Sequence, residues 1–248
     1  MKYMGSKSKI SIELKSIFDL NRTSLNQYYI EPFVGGCNMI DKMKGKRIAS
    51  DNNKYLIALW KGLQANLERP DKVTKQMYDN AKNDLKNGTN DFYNDFLIGL
   101  IGFMASFNGK FFNGFVNDEM NDVRDYQSEL KRSIEKQIRY LKDVSFFFSE
   151  YKELLLPENS IIYCDIPYKN TTKYETGNFN HLEFYEWAEL KSKQGHKVFI
   201  SEYAMPEDRF SKIWTKQIKS NLSNKNQIKT ECLFVPINQE IKQNATLF

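Results

Sequence analysis

Apolar residues at Ile10, Leu14, Ile17 and Phe18 recur at helical spacing and predict a first helix ending near Leu20. Tyr28, Tyr29 and Ile30 form a short β-prone run, a strand that leads directly into Glu31-Pro32-Phe33-Val34-Gly35-Gly36. Residues 38–43 predict a short helix, 47–50 a strand, and 53–67 a helix closed by Pro70. Strand, glycine turn, helix, strand, acid and helix, in that order, open a parallel sheet.

The period then changes. From about residue 61 to 142 helical spacing dominates, over 73–85, 92–104 and 126–141. An aromatic, Gly- and Asn-rich stretch at 105–117 separates the last two. Strand patterns return at 144–148 and 161–164, followed by a helix at 181–193 and a strand at 197–201. Two further strand-like segments, 214–219 and 230–235, flank a polar loop at 221–226. The expected organisation is one α/β catalytic domain, residues 1–60 and 143–248, interrupted by a mainly helical insertion at 61–142.

Composition narrows this only a little. Of 248 residues, 41% are hydrophobic, enough for a sizeable core, and the charged 27% argues against disorder. A net charge of +5 permits an anionic partner such as nucleic acid without requiring one. Cys37, Cys164 and Cys232 are an odd number and far apart, which excludes a disulfide framework and a Cys-x-x-Cys metal site. His181 and His196 are too few for a histidine metal site and read as structural or exposed. No metal is expected. The first residues lack the apolar stretch of a signal peptide, and the apolar run 96–107 is too short to span a bilayer. A soluble cytoplasmic protein with no membrane partner is the expectation.

Chemistry enters at two turns. Glycines at 35 and 36 after the first strand let a ligand approach the backbone, at the strand end where open α/β sheets bind ligands. Asp51, twenty positions after Glu31, stands where an acid would hold ribose hydroxyls. Gly-x-Gly-x-x-Gly is absent, so no pyrophosphate cradle follows, and a plain turn with surface acids accounts equally well for these residues.

The second turn is sharper. Residues 161–164 predict a strand that delivers Asp165, Ile166, Pro167 and Tyr168 in succession. An exocyclic amino group on an aromatic base is a poor nucleophile because its lone pair is delocalised into the ring. Two acceptors, the Asp165 carboxylate and the Ile166 carbonyl, can take its two N–H bonds and draw the nitrogen toward tetrahedral geometry. The lone pair then faces a sulfonium methyl for in-line attack. Tyr168 can stack on the base, a contact worth roughly 1–3 kcal/mol, and Pro167 fixes the backbone. The bland alternative is a strand that ends in a proline turn beside a core tyrosine.

Four segments together resemble the adenine-specific DNA methyltransferases of the DNA adenine methylase type, especially those carried by bacteriophages. Lys2-Tyr3-Met4-Gly5-Ser6-Lys7 resembles the family's N-terminal cofactor segment, and Glu31 to Gly36 its glycine motif. Ser50-Asp51-Asn52 resembles its ribose-binding acid, and Asp165 to Tyr168 its catalytic Asp-Pro-Pro-Tyr. The order matches across nearly the whole chain. The insertion at 61–142 falls where the family places its target-recognition domain.

The resemblance implies a Rossmann-like class I methyltransferase sheet of seven strands that binds S-adenosyl-L-methionine and releases S-adenosyl-L-homocysteine. It places Tyr3, Lys7, Glu31, Pro32, Phe33, Gly35, Asp51 and Asp165 near that cofactor. The catalytic residues are then Asp165, Ile166, Pro167 and Tyr168. The implied substrate is an adenine extruded from double-stranded DNA, and the implied state in solution is a monomer. Ile166 departs from the usual motif, but the acceptor there is a backbone carbonyl, which Ile keeps. Methyltransferases of ribosomal RNA also carry an apolar residue there, so RNA adenine stays open as substrate. So does a DNA-binding relative without catalysis.

The target-reading hairpin of the GATC-specific enzymes is absent. Residues 107–114 stand there instead, where Asn108, Lys110 and Asn113 can reach base edges or phosphates, or where the Asn-Gly pairs simply make turns. Lys219, Lys225 and Lys229 belong to a loop that resembles one meeting DNA, or that is a solvated hairpin tip. Arg124, Lys131, Arg132, Lys136 and Arg139 mark either a phosphate-facing or a wet helix face.

Overall fold

The computed structural model describes residues 1–3, 5–116, 125–169, 179–220 and 227–242, without the side chains of residues 219, 220, 227 and 228. Its elements run α1 (Ser11–Asn21), β1 (Tyr29–Glu31), β2 (Arg47–Asp51), α2 (Lys54–Gln64), α3 (Lys75–Asn87) and α4 (Asp95–Met104). They continue with α5 (Tyr126–Ile138), β3 (Val144–Phe148), β4 (Ile161–Asp165), α6 (His181–Lys193), β5 (Lys197–Glu202), β6 (Phe210–Ser220) and β7 (Gln227–Pro236). Single 3-10 turns lie at Ile40–Lys42 and Phe107–Gly109.

The seven strands form one sheet in the order β3-β2-β1-β4-β5-β7-β6. The first five are mutually parallel; β7 runs antiparallel to β5, and β6 to β7. This is the Rossmann-like α/β sheet expected of a class I methyltransferase. Its strand order reverses between β1 and β4, and ligands of open α/β sheets bind at the carboxyl ends beside such a switch. Glu31, Asp51, Asp165 and Glu202 are the last residues of β1, β2, β4 and β5. Four parallel strands therefore each end in a carboxylate along one edge.

Both faces of the sheet are covered, which explains the near-continuous burial of β1 and β4. One face carries α1 through Leu14, Ile17 and the fully buried Phe18, whose ring meets Tyr163 and Phe199 at 5.0 Å each. Burying such a phenyl group is worth about 1.5–3 kcal/mol. The other face packs Phe184, Trp187 and Ala188 of α6 against Ile162, Cys164 and Ile200. Helices α2 and α4 cross closely, with the Gly62 and Gly99 backbones against Phe96 and Tyr55. Phe96, Leu100 and Phe103 of α4 join the main core, while Ile98 and Ile101 join a second cluster with Tyr78 and Ala81 of α3.

Helices α5 and α6 start at Tyr126 and His181 as the apolar period predicts, while α2, α3 and α4 start one to three residues later. Asn53, Thr74 and Asn94 each accept backbone N–H bonds at the N-cap, and an N-cap residue is not helical. Helix α2 stops at Gln64 rather than near Leu67, since Asn66 takes a left-handed conformation. The last two strands are longer than their apolar cores, because pairing between β6 and β7 carries polar residues out to Ser220 and Gln227.

Candidate active site

The turn after β1 is built by the backbone. Gly35 adopts φ +46°, and a Cβ there would meet the Tyr3 ring at 2.8 Å; one on Gly36 would meet Tyr3 Cβ at 2.5 Å. The chain lacks side chains at 35 and 36 because Tyr3 lies on them. Trp60 Nε1 donates to the Gly35 carbonyl at 3.0 Å, and Gln137 Nε2 donates to the Gly36 and Cys37 carbonyls at 3.0 and 2.9 Å. Helices α2 and α5 thus clamp the turn from outside.

Asp51 closes this half of the site. Its carboxylate accepts the Gly35 N–H at 3.1 Å and the Asn53 N–H at 3.0 Å. Burial pushes its pKa up to about 6, against the pull of those backbone donors. Glu31 is almost fully buried and accepts from Tyr29 Oη at 2.9 Å. Burial drives its carboxyl well above the usual range, with the Tyr29 hydrogen bond opposing. Pro32 is buried at the strand end, and Phe33 is half-buried on the Tyr151 ring at 5.3 Å and edge-on to Phe184.

The second half is made of side chains. Lys7 Nζ lies 2.8 Å from Asp165 Oδ1, 3.0 Å from the Gly5 carbonyl and 3.9 Å from Glu231 Oε2. The same ammonium sits 4.7 Å from the centre of the Tyr168 ring. Tyr168 Oη donates to Glu231 Oε2 at 2.9 Å, and its ring meets Tyr203 edge-to-face at 4.5 Å. Burial pushes the Asp165 carboxyl up, and Lys7 pulls it back down. Burial, with Asp165 and Glu231 nearby, pushes the Tyr168 phenol well up.

The backbone after β4 is held from two further sides. Glu202, 1% exposed, accepts the Lys169 N–H at 2.5 Å and also the Tyr203 N–H. His181, from the start of α6, donates through Nε2 to the Pro167 carbonyl at 3.0 Å. Ile166 is buried. A partly exposed acid, a fixed proline and an aromatic ring therefore converge at the end of β4. The arrangement can accept N–H bonds from a planar amine and hold its ring.

The segment before α1 links the two halves, with Tyr3 on the glycine turn and Lys7 on Asp165; Met4 lies outside the described residues. It also reaches the aromatic stretch, since a Cβ on Gly109 would meet the Lys2 carbonyl at 2.2 Å. Phe111 and Phe112 pack under that stretch against Gly102 of α4, and Phe107 N donates to the Gly114 carbonyl at 3.1 Å. The Asn-Gly pairs do make tight turns there, and they leave Asn108 and Asn113 exposed and Lys110 half-exposed. Asn108 Oδ1 accepts weakly from Tyr126 Oη at 3.5 Å.

Lys229 is exposed on β7, with its ammonium 5.9 Å from the Tyr203 ring centre. Lys225, the Lys219 side chain and Arg124 lie outside the described residues. Of the α5 charges, Lys131 pairs with Asp71 at 2.5 Å, while Arg132, Lys136 and Arg139 are exposed. Glu231, Glu202, Tyr203 and His181 were not singled out from the sequence as site residues. The available signal was an acid at the end of one apolar run, Glu202, and one at the start of another, Glu231. Among the described residues, no group of three or more His, Cys, Asp or Glu side chains could hold a metal ion, and no helix is long and apolar enough to cross a membrane.

A family model described as D12 class N6 adenine-specific DNA methyltransferase matches residues 3–151. That span covers more than half of the chain, including the N-terminal segment, the glycine turn, Asp51 and the aromatic stretch. It stops before Asp165. A search of curated proteins finds no match. Among solved structures, the rRNA methyltransferase aviRa from Streptomyces viridochromogenes is similar over 92% of this chain and 84% of its own, at 8% identity and a TM-score of 0.43. So distant a likeness carries no argument about function.

Proposed function

The chain belongs to the D12 class N6 adenine-specific DNA methyltransferases, and from that premise we propose that it methylates N6 of an adenine extruded from double-stranded DNA, at a specific site, with S-adenosyl-L-methionine as donor. The observation that carries the chemistry is the carboxylate of Asp165 at the end of β4, joined to the Tyr168 ring through Lys7, with the Glu31 carboxylate on adjacent β1 and that of Asp51 on β2 beyond it.

The cofactor fits the other half of the edge. Asp51 is held by two backbone N–H groups, so its remaining lone pairs suit the two hydroxyls of a ribose. Tyr3, Glu31, Pro32, Phe33, Gly35, Lys7 and Asp165 are the other residues assigned to the cofactor in this reading, with Gly35 bonded to Asp51 and Tyr3 lying on Gly35. When bound, S-adenosyl-L-methionine supplies an electrophilic methyl group on a positive sulfur.

This chain's residues do the rest. Asp165 and the Ile166 carbonyl accept the two N6–H bonds, localising the lone pair on nitrogen. Tyr168 stacks on the base. As nitrogen gains positive charge, the Asp165 carboxylate offsets it, the kind of electrostatic stabilisation that dominates many enzymatic reactions. The extra proton leaves afterwards to water, so no dedicated base is needed. Pro167, tied at its carbonyl by His181, keeps acid and ring in register. Residues 61–142 serve as the target-recognition insertion, with Asn108, Lys110 and Asn113 toward DNA, and Lys219, Lys225 and Lys229 flank the duplex from the last hairpin.

Nucleoside analysis decides between acceptors. The protein is incubated with labelled cofactor and equal amounts of unmethylated duplex DNA and RNA of mixed sequence. Label in N6-methyldeoxyadenosine supports the reading. Label confined to RNA, or to cytosine, overturns it.

A further inference from the structure

Glu231 stands on β7, far in sequence from Asp165 and Tyr168, yet it bonds Tyr168 and faces Lys7, the partner of Asp165. Its Oε2 accepts the Tyr168 hydroxyl at 2.9 Å and faces Lys7 Nζ at 3.9 Å. Its side chain is only 14% exposed. A carboxylate so largely buried is costly unless its lone pairs are used. Cys232, Leu233, Phe234 and Val235 supply the core contacts of the strand among the described residues.

A ring that stacks on a base must present its face at a fixed angle, and rotation about two side-chain bonds sweeps that face away. Pro167 fixes the Tyr168 backbone but not its ring. Among the described residues, the ring is held by Tyr203 packed at right angles to it, by the Lys7 ammonium on its face and by the carboxylate at its hydroxyl. Of these, only the hydroxyl bond is directional.

We infer that Glu231 is a positioning residue for methyl transfer, holding the Tyr168 ring in its stacking orientation through the phenolic hydroxyl. The inference rests on the reading that Tyr168 stacks on the target base. It makes the last hairpin part of the active site.

The test compares E231A, E231Q and Y168F with the wild type under single-turnover conditions, at saturating cofactor and DNA. E231A loses the acceptor and slows methyl transfer roughly ten- to hundredfold, the scale expected when a reacting group is misplaced. Cofactor affinity and thermal midpoint stay near wild type. E231Q keeps an acceptor oxygen and recovers most of the rate. Y168F removes the donor but keeps the ring; it slows transfer by the same factor, and adding E231A to it costs nothing more. In cofactor-free protein carrying 13Cζ-labelled tyrosine, the Tyr168 resonance, assigned by its loss in Y168F, shifts in E231A and holds in E231Q.

Should E231A fold poorly, Y168F and E231Q carry the comparison: loss in the first and retention in the second uphold the inference. Wild-type rates in E231A, losses that add in the double variant, or an unmoved Tyr168 resonance overturn it while leaving the functional reading intact. A wild type that methylates no adenine overturns both.

Discussion

The two halves of the strand edge are held in different ways. At β1 and β2 the site is fixed by main-chain atoms: Gly35 N–H on Asp51, and Trp60 and Gln137 on the Gly35 and Gly36 carbonyls. At β4, β5 and β7 it is a network of charged and phenolic side chains around Lys7. A cofactor common to every turnover is served by a rigid frame whose cost is met in folding. The acceptor of a base that enters and leaves needs groups whose charge and tilt can respond. The difference predicts that damage to the first half appears in cofactor binding and stability, and damage to the second in the rate of transfer.

The largest effect falls on the side-chain half. Replacing Lys7 with Met leaves Asp165 and Glu231 facing one another without their shared cation. Single-turnover methyl transfer is expected to fall about a hundredfold, on the scale of a lost electrostatic partner. Burial already raises the Asp165 carboxyl, and Lys7 is what lowers it. Its removal raises the folded pKa further. Transfer needs the carboxylate, so the rise of rate with pH moves to higher pH. A profile unmoved by K7M would break the assignment of Lys7 to this half.

Next comes the main-chain half. In Gly36→Ala the new Cβ meets Tyr3 Cβ at 2.5 Å and Asn38 Nδ2 at 2.7 Å, and neither Tyr3 nor the turn can give way freely. Overpacking of this kind costs roughly 1–3 kcal/mol, measurable by denaturant unfolding. Cofactor affinity falls with it, while transfer at saturating cofactor is little changed.

Asp51→Asn sharpens the same contrast with a smaller effect. Cofactor affinity drops about tenfold, in line with hydrogen bonds to a charged acceptor. The wild-type carboxyl has a pKa of about 6, raised by burial. Its charged form, which accepts ribose hydroxyls best, is lost as pH falls through that value, so affinity weakens below pH 6 in the wild type and not in D51N. The linkage to stability has the opposite sign: a raised carboxyl pKa favours folding below its unfolded value and loses that contribution as pH rises toward 6. Calorimetric titration and unfolding across pH 4–8 separate the two.

The smallest effect belongs to the exposed turn. Lys110→Ala changes stability by less than about 0.5 kcal/mol and reduces the salt dependence of DNA binding by roughly one counterion. An unchanged salt slope would leave residues 107–114 as a turn and nothing more.

Much of this was legible in the chain. The inner parallel strands were marked by their apolar runs, because strands buried on both faces read continuously. Asp165 and Tyr168 were legible because one strand delivers acid, proline and ring within four residues. Glu231, Glu202 and His181 were not, because β7 joins β5 antiparallel and α6 returns to Pro167 from a separate segment. Such meetings leave no local spacing to read. Helix ends slipped for a different reason: an N-cap Asn or Thr looks like the first helical residue in a periodic pattern but takes extended geometry.

The most direct test of the account is methylation of unmethylated duplex DNA of mixed sequence by the wild type and by Asp165→Ala, with labelled S-adenosyl-L-methionine and identification of the modified base. The wild type is expected to yield N6-methyladenine and the variant none, although both bind the cofactor. Wild-type protein that binds the cofactor and leaves DNA unmethylated, or an Asp165→Ala variant that methylates at the wild-type rate, would contradict it.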